Sequence, residues 1–597
     1  MFLDKRDEKG QLLSFKAFAI SEEVAELGIK NFKKTEIFKE LKNLFSEKYL
    51  ILLFKKLIFE SVYETSCKAL LSKYSKDKVI DTDFYSINLL KDNKYFSECI
   101  LINKSKKINL NNIKKFLIDF FWEQYSIISK ILHLFSFILR FKKKENKNAK
   151  IAVNFLEGLK INERSDFFWY DKNSFFNNVI TYFEDSKRIS RFEKNKDLIF
   201  KKLKFLNIGY EYLYQLRYFL KNSKIDDLRR RVEKINSVGD EKFLKKKVLI
   251  YISKIQYMFN FFKENNIKVH YNSEEMGTGN ILRQIAIKLN GGCSFGRTKS
   301  YPTKIKGDFI GFFPNDIFFT WGKETAKRVS QTENCIDHII ITGDHYPKIP
   351  YQKKILFEKK INNLKSKNLK FFILILDSSF SENKEFTWQL TFKEKMETFF
   401  KKIFAFQNDN PDVGLIIKSK KKDNLRSIKS IFSEIINRER NNRCIFINEN
   451  NDLSSHYSEF ADFTISISPH IQGALFHCLI NNKKFRGAMY DDSNLSLIEN
   501  EIYHAGENKT IFRNLDKLMN ELKVFKNKSN QESDLGKWLD VSNHDPFCDG
   551  KGGERVQIFL KNLINFYDQG LKTDKAIKKT VNEYTKVYNS DKIYEKK

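Results

Sequence analysis

The chain has 597 residues, too many for one hydrophobic core, so several domains are expected. Apolar residues make up 41%, with 57 Phe against only 7 Pro and 23 Gly, which excludes a long disordered chain. The 107 basic residues outnumber the 75 acidic ones for a net charge of +32, which suggests an anionic partner or a compositional bias of the whole chain. That excess is Lys scattered along the whole chain, without an Arg-rich arm, a zinc finger or an RNA-binding signature, so nucleic acid is not the expected partner.

The seven cysteines are dispersed, odd in number and without a C-x-x-C pair, as for reduced thiols in the cytoplasm. No H-x-x-x-H or H-E-x-x-H pair suggests a metal centre, and no G-x-S-x-G elbow suggests a serine hydrolase. The start, Met1-Phe2-Leu3-Asp4-Lys5-Arg6-Asp7-Glu8, lacks a signal-peptide core, and no run reaches the ~20 apolar residues of a membrane span. A cytoplasmic protein is expected.

In chain order, residues 1–145 read as a helical N-terminal region, with Phe38 to Ile58 and Ile113 to Leu139 apolar at helical spacing. The second ends in an apolar stretch beside Arg140, Lys142, Lys143 and Lys144. That is either an interfacial helix on anionic lipid, making the protein peripheral on the inner membrane face, or a core helix with a solvated basic end. The polar run Lys142 to Lys150 is the first boundary. Residues 146–333 then read as a Rossmann-like domain with strands at Ile151 to Phe155, Ile267 to Tyr271 and Ile317 to Thr320, and a helical insertion at about 187–265. Residues 334–548 read as a second such domain. Its runs begin at His338 to Gly343, Phe371 to Asp377, Val413 to Lys418, Cys444 to Ile447 and Phe463 to Ile467. Residues 549–597 read as C-terminal helices.

In open parallel sheets the ligand crevice lies beyond the carboxyl ends of the strands. Gly343-Asp344-His345, Asp377-Ser378-Ser379, Lys418-Ser419-Lys420 and Ser466 to His470 are therefore expected on one edge of the second sheet. Ser468-Pro469 reads as the N-cap and first position of a helix through Gly473 to Leu479. Its amides suit a diphosphate, with Lys418 adding charge and Gln472 a donor, or it merely opens a crossover helix. Asp491 follows Met489-Tyr490 at another strand end. In the first domain Glu163, Asp166, Glu274 and Glu275 follow strands, where a carboxylate can deprotonate an acceptor hydroxyl. The Gly291 to Tyr301 loop offers Arg297, Lys299 and Ser300 to phosphate or acceptor, or is a structural turn. His133 and His477 sit in apolar stretches and read as core histidines.

The stretches Arg164 to Trp169, Gly291 to Tyr301, Asp316 to Gly322, Ile341 to Gly343, Ala461 to Ser468, and Asp545 to Gly550 with Arg555 resemble the GT-B glycosyltransferase fold. More narrowly they resemble bacterial surface-carbohydrate and capsule biosynthesis proteins, distantly similar to the CDP-glycerol glycerophosphotransferases. The resemblance spans about residues 151–566. It implies an α/β protein of two Rossmann-like domains facing across a cleft, with the helical region added at the N-terminus. It further implies a metal-independent, cofactor-free glycosyltransferase moving sugar from a nucleotide-sugar to a glycan or lipid-linked acceptor. The donor would lie on Gly343, Asp377, Lys418, Ser466, Ser468, His470, Gln472 and Asp491, and the catalytic carboxylate among Glu274, Glu275, Asp166 and Glu163. Pro469-His470-Ile471-Gln472 stands where such donors often meet a Glu, and the Gly291 loop lacks the His-Gly of the glycerophosphotransferases. A nucleotide-sugar epimerase, a glycerophosphotransferase and a non-catalytic component of polysaccharide assembly are the alternatives.

Overall fold

Phe371-Phe372-Ile373-Leu374-Ile375-Leu376 is apolar throughout because both faces of its strand are covered. Phe371, Ile373 and Ile375 enter one core, and Phe372, Leu374 and Leu376 enter another. The computed structural model describes residues 13–72, 79–82, 90, 96, 100–103, 149–156, 158–159, 165–175, 177–183, 196–212, 218, 223–237, 240–272, 278–299, 311–345, 349–378, 380, 393–420, 425–448, 453–467, 473–482, 484–491, 506, 508–527, 533–538 and 542–595.

Two large sheets organise the chain into two Rossmann-like lobes. The sheet containing Phe371–Leu376 has six parallel strands in the order Cys444–Ile447, Val413–Lys418, Phe371–Leu376, Phe463–Ile467, Gly487–Tyr490 and Ile511–Phe512. Numbered along the lobe this is 3-2-1-4-5-6, the doubly wound order, which reverses between Phe371–Leu376 and Phe463–Ile467. The other sheet runs Ile593–Tyr594, His338–Ile341, Ile317–Thr320, Cys293–Arg297, Val269–Tyr271, Ile151–Asn154, Val179–Phe183 and Gly209–Tyr212. All its pairings are parallel except that of Ile593–Tyr594. It winds the same way, reversing between Ile151–Asn154 and Val269–Tyr271.

Several expectations need correction. The run His338–Ile341 pairs with Ile317–Thr320 in the first sheet and does not open the second. Ile339 and Ile341 pack with Phe318, Ala326 and Val329, so the crossover helix Lys323–Ser330 ties the strand to the lobe preceding it. Gly343-Asp344-His345 therefore stands on the first sheet's edge. The helical insertion contains the edge strand Gly209–Tyr212, and the N-terminal helical region contains a parallel pair, Val79–Thr82 with Ile100–Asn103. The centre of the glycine-rich loop is the strand Cys293–Arg297; a Cβ at Gly292 would lie 2.5 Å from the Lys268 carbonyl, so close packing is what requires that glycine. The helix expected over Phe38 to Ile58 breaks into Glu36–Lys42 and Glu47–Ser72. Ile113 to Leu139 and its basic end lie outside the described residues.

The helices Leu13–Phe32 and Glu47–Ser72 share one core with Asp240–Glu264 and Gly279–Leu289 on one face of the first sheet. A buried polar node pins them there. Asp316 accepts from Tyr49 Oη at 3.1 Å, Gln284 Nε2 at 2.9 Å and the Ser294 amide at 2.8 Å, and pairs with Lys288 at 3.0 Å. The opposite face is covered from the far end of the chain. Gly552–Asp568 and Thr573–Tyr588 pack Val556, Phe559, Leu563 and Tyr584 against Val153, Phe295 and Phe319. Among the described residues no helix is long and apolar enough to cross a membrane.

Candidate functional site between the lobes

The lobes meet where first-sheet strands end. Trp321, directly after Ile317–Thr320, is buried in the second lobe's core, stacked on Phe476 at 5.3 Å and edge-on to His477 at 4.7 Å. After His338–Ile341, Asp344 receives Asn481 Nδ2 at 2.8 Å and lies 3.1 Å from His477 Nδ1. His477 and Asn481 are one helical turn apart on Gly473–Asn481, the helix that follows Phe463–Ile467. Burial alone would raise the Asp344 carboxyl, but His477 and Asn481 outweigh it and hold it below the usual carboxylate range. The helix expected to carry phosphate thus lies against the opposite lobe.

The return of the chain closes this junction from behind. Asp545 Oδ2 accepts the Asp344 amide at 2.9 Å, and Arg555 grips Asp549 through both nitrogens while donating to the Thr342 carbonyl at 3.1 Å. Gly343 sits inside this clasp at φ +82°, where a Cβ would meet Asp545 at 3.0 Å and Phe547 at 3.1 Å.

On the first-lobe side Arg297, the last residue of its strand, is 2% exposed. Its guanidinium lies 4.0 Å over Phe168, Nε donates to Tyr271 Oη at 3.1 Å, and a terminal nitrogen donates to the Ser165 carbonyl at 3.1 Å. It ties together the exits of Ile151–Asn154, Val269–Tyr271 and Cys293–Arg297. His345 lies tilted against Phe168 at 5.1 Å and contacts Thr342 Oγ1 through Nε2 at 2.7 Å. Burial first, then the Arg297 charge, push its imidazole down to about 3, so it is neutral at physiological pH.

The remaining expected residues do not gather in one place. Gly343 belongs to the interlobe clasp on the first sheet. Asp377, Lys418, Ser466 and Asp491 do stand at second-sheet strand ends, as expected. Asp377 accepts from Ser419 Oγ at 3.2 Å and from the Lys420 amide, while Lys418 Nζ donates to the Ser419 carbonyl at 2.6 Å, so both shape the Val413–Lys418 exit. Ser466 pairs in register with Leu376 across the switch point; its hydroxyl is enclosed with no hydrogen-bond partner among the described residues. Asp166 is fully enclosed, its Oδ2 accepting the Leu156 amide at 2.7 Å and the Gly158 amide at 3.3 Å, which closes the loop after Ile151–Asn154. Lys299 lies two residues past Cys293–Arg297 and is half-buried. Glu163, Glu274, Glu275, Ser300, Ser468, His470 and Gln472 lie outside the described residues.

Asn481 was missed outright, and His477, read as a core histidine, is buried but bonded across the lobes. Two polar residues at i, i+4 in the apolar run Ala474 to Asn481 were the available signal.

No protein-family model matches the chain, and no curated protein matches it. Solved structures align distantly. The S. aureus MnaA–UDP co-structure is 13% identical over 70% of this chain and 97% of its own, at a TM-score of 0.39. Anabaena Alr3699/HepE in complex with UDP and glucose is 11% identical over 68% and 98%, at 0.37. The wall teichoic acid polymerase TagF is 11% identical over 75% and 97%, at 0.35. The two-lobe architecture stands on the strand pairings themselves.

Proposed function

We propose that this chain is a GT-B-type glycosyltransferase that moves a sugar from a nucleotide-activated donor to a surface-polysaccharide or lipid-linked acceptor, working in the cytoplasm at the inner membrane face. The observation that carries the reading is the doubly wound order of the second sheet, with Ser466 beside its switch point and Gly473–Asn481 leading away from it. Such a crevice takes a ligand at the strand ends. The start of the following helix offers amides and a positive dipole to a diphosphate, stabilising it as it departs without a catalytic metal. The unpartnered Ser466 hydroxyl supplies a further polar contact. Asp166 is occupied in closing its own loop, so the reading assigns the base to Glu274 or Glu275, two and three residues beyond Asn272. The scattered positive charge suits a phosphorylated donor and an anionic membrane surface.

Thermal-shift measurements with a panel of nucleotide-sugars and CDP-glycerol test donor binding. A donor at 100 times its Kd adds about 2.7 kcal/mol. Ser466→Val should shrink the shift by about 1 kcal/mol while leaving the ligand-free protein as stable as before. Product analysis with labelled donor then separates transfer from epimerisation. Absence of any nucleotide-dependent shift overturns the proposal.

A further inference from the structure

The first lobe has a switch point of its own, and its chemistry differs from that of the second. Winding reverses between Ile151–Asn154 and Val269–Tyr271. At the carboxyl ends beside this reversal one face of the sheet turns from apolar to polar. Register sets Asn154 next to Tyr182, and Tyr182 next to Glu211. His270 lies next to Ala152, and Asn272 comes one residue past the Val153–Tyr271 pair, on the other side of Asn154. Ala152 and Tyr182 belong to the core shared with Asp240–Glu264 and Gly279–Leu289, so the row lies beneath those helices. Every member is buried.

Within the row Tyr182 Oη and His270 Nε2 are 2.9 Å apart, and Asn272 Nδ2 donates to the Asn280 carbonyl at 3.0 Å. Among the described residues, His270 Nδ1 and Asn272 Oδ1 are buried with no hydrogen-bond partner. Buried polar groups are nearly always satisfied, and unsatisfied ones at a switch point indicate where a ligand's polar atoms go. Burial, then the neighbouring Arg283 charge, hold His270 well below its ordinary value, so the ring is neutral and offers either a donor or an acceptor at Nδ1.

The row carries one carboxylate, Glu211, and one nearby guanidinium, Arg283, beside amides, a phenol and a neutral imidazole. That set has no excess of positive charge for a phosphate. It matches groups that both donate and accept, which is what hydroxyls do. Tyr182 and Phe262 pack against the His270 ring at 5.9 and 5.1 Å and hold its orientation.

We propose that this buried row is a sugar-ring subsite in which His270 Nδ1 and Asn272 Oδ1 bind hydroxyls of the acceptor's terminal pyranose. Calling that sugar the acceptor rests on the transferase reading; the recognition of a neutral polyhydroxylated ring does not. The full chain should show saturable binding of at least one of the methyl pyranosides of glucose, galactose, mannose and N-acetylglucosamine by saturation-transfer NMR. Asn272→Asp, which keeps the side chain's shape, and His270→Phe should each weaken it at least tenfold, with nucleotide-sugar binding changed less than twofold. If no pyranoside binds the wild type, or if both variants bind it as tightly as the wild type, the subsite is overturned. Nucleotide binding without pyranoside binding sinks the subsite alone. Pyranoside binding that depends on His270 and Asn272, without any nucleotide binding, sustains the sugar subsite and sinks the transferase reading.

Discussion

His477 Nδ1 lies 3.1 Å from Asp344 Oδ2, and that contact joins a helix of one lobe to a strand end of the other. Both side chains are buried, so the pair is shielded from salt and solvent. Removing one member leaves the other enclosed without its partner. Asp344→Ala should therefore cost about 3–5 kcal/mol in urea unfolding at neutral pH, with Asp344→Asn costing less. Because the Asp344 carboxyl is held low, its contribution is complete above its ordinary value of 3.8 and is lost as pH falls below that. The gap between wild type and Asp344→Asn should accordingly be constant from about pH 7 to pH 5 and narrow only below about pH 4.

His345 gives a different acid response. Its folded value of about 3 against an ordinary 6.5 means that the unfolded chain takes up a proton which the folded protein refuses. Stability from this source is whole above pH 6.5 and declines steadily below it, by about 2 kcal/mol between pH 6.5 and pH 5. His345→Gln should flatten that part of the curve, measured by urea midpoints across the range. Arg297→Gln should raise the His345 titration midpoint, followed by NMR of the imidazole, since the Arg297 charge is the second cause of its depression after burial.

Asp316 anchors the N-terminal helices. Four partners converge on its carboxylate, including the Lys288 ammonium. Asp316→Ala should cost about 3–5 kcal/mol, whereas Tyr49→Phe, which deletes the bond donated to the Asp316 carboxylate and the one accepted from Gln284 Nε2, should cost about 1.5–3 kcal/mol. A double-mutant cycle between them should give a coupling of at least 0.5 kcal/mol or so.

Two glycines with the same backbone sign separate strain from crowding. Gly343 and Gly570 lie at φ +82° and +80°, yet only Gly343 has atoms near where a Cβ would stand. Gly570→Ala should cost about 1–2 kcal/mol from the left-handed conformation alone. Gly343→Ala should cost more, because Asp545 and Phe547 must also give way. Thermal unfolding of the two variants side by side checks the order.

The sheets were legible because their strands advertise themselves. Phe371–Leu376, Val413–Lys418, Cys444–Ile447 and Phe463–Ile467 are short, apolar and spaced by helices. Gly209–Tyr212 and Cys293–Arg297 escaped notice because glycine, tyrosine and charged residues dilute their patterns. His338–Ile341 looked like a second-lobe strand since an apolar run carries no label for the sheet it joins; pairing with Ile317–Thr320 decides that. The strand-end rule led to Asp377, Lys418 and Ser466, whereas the interlobe contacts of His477 and Asn481 depend on which helix meets which strand end. That is a tertiary fact, absent from local spacing.

The first sheet closes only with residues far downstream. Tyr584 Oη donates to the Ile341 carbonyl, Ile593–Tyr594 pairs with His338–Ile341, and the two last helices supply one wall of the first lobe's core. A ribosome emits the second lobe whole while the first still lacks that wall. The lobe begun earliest is thus the one completed last, and until then its exposed Phe and Ile surface depends on the finished neighbour, or on a chaperone, to keep it from aggregating.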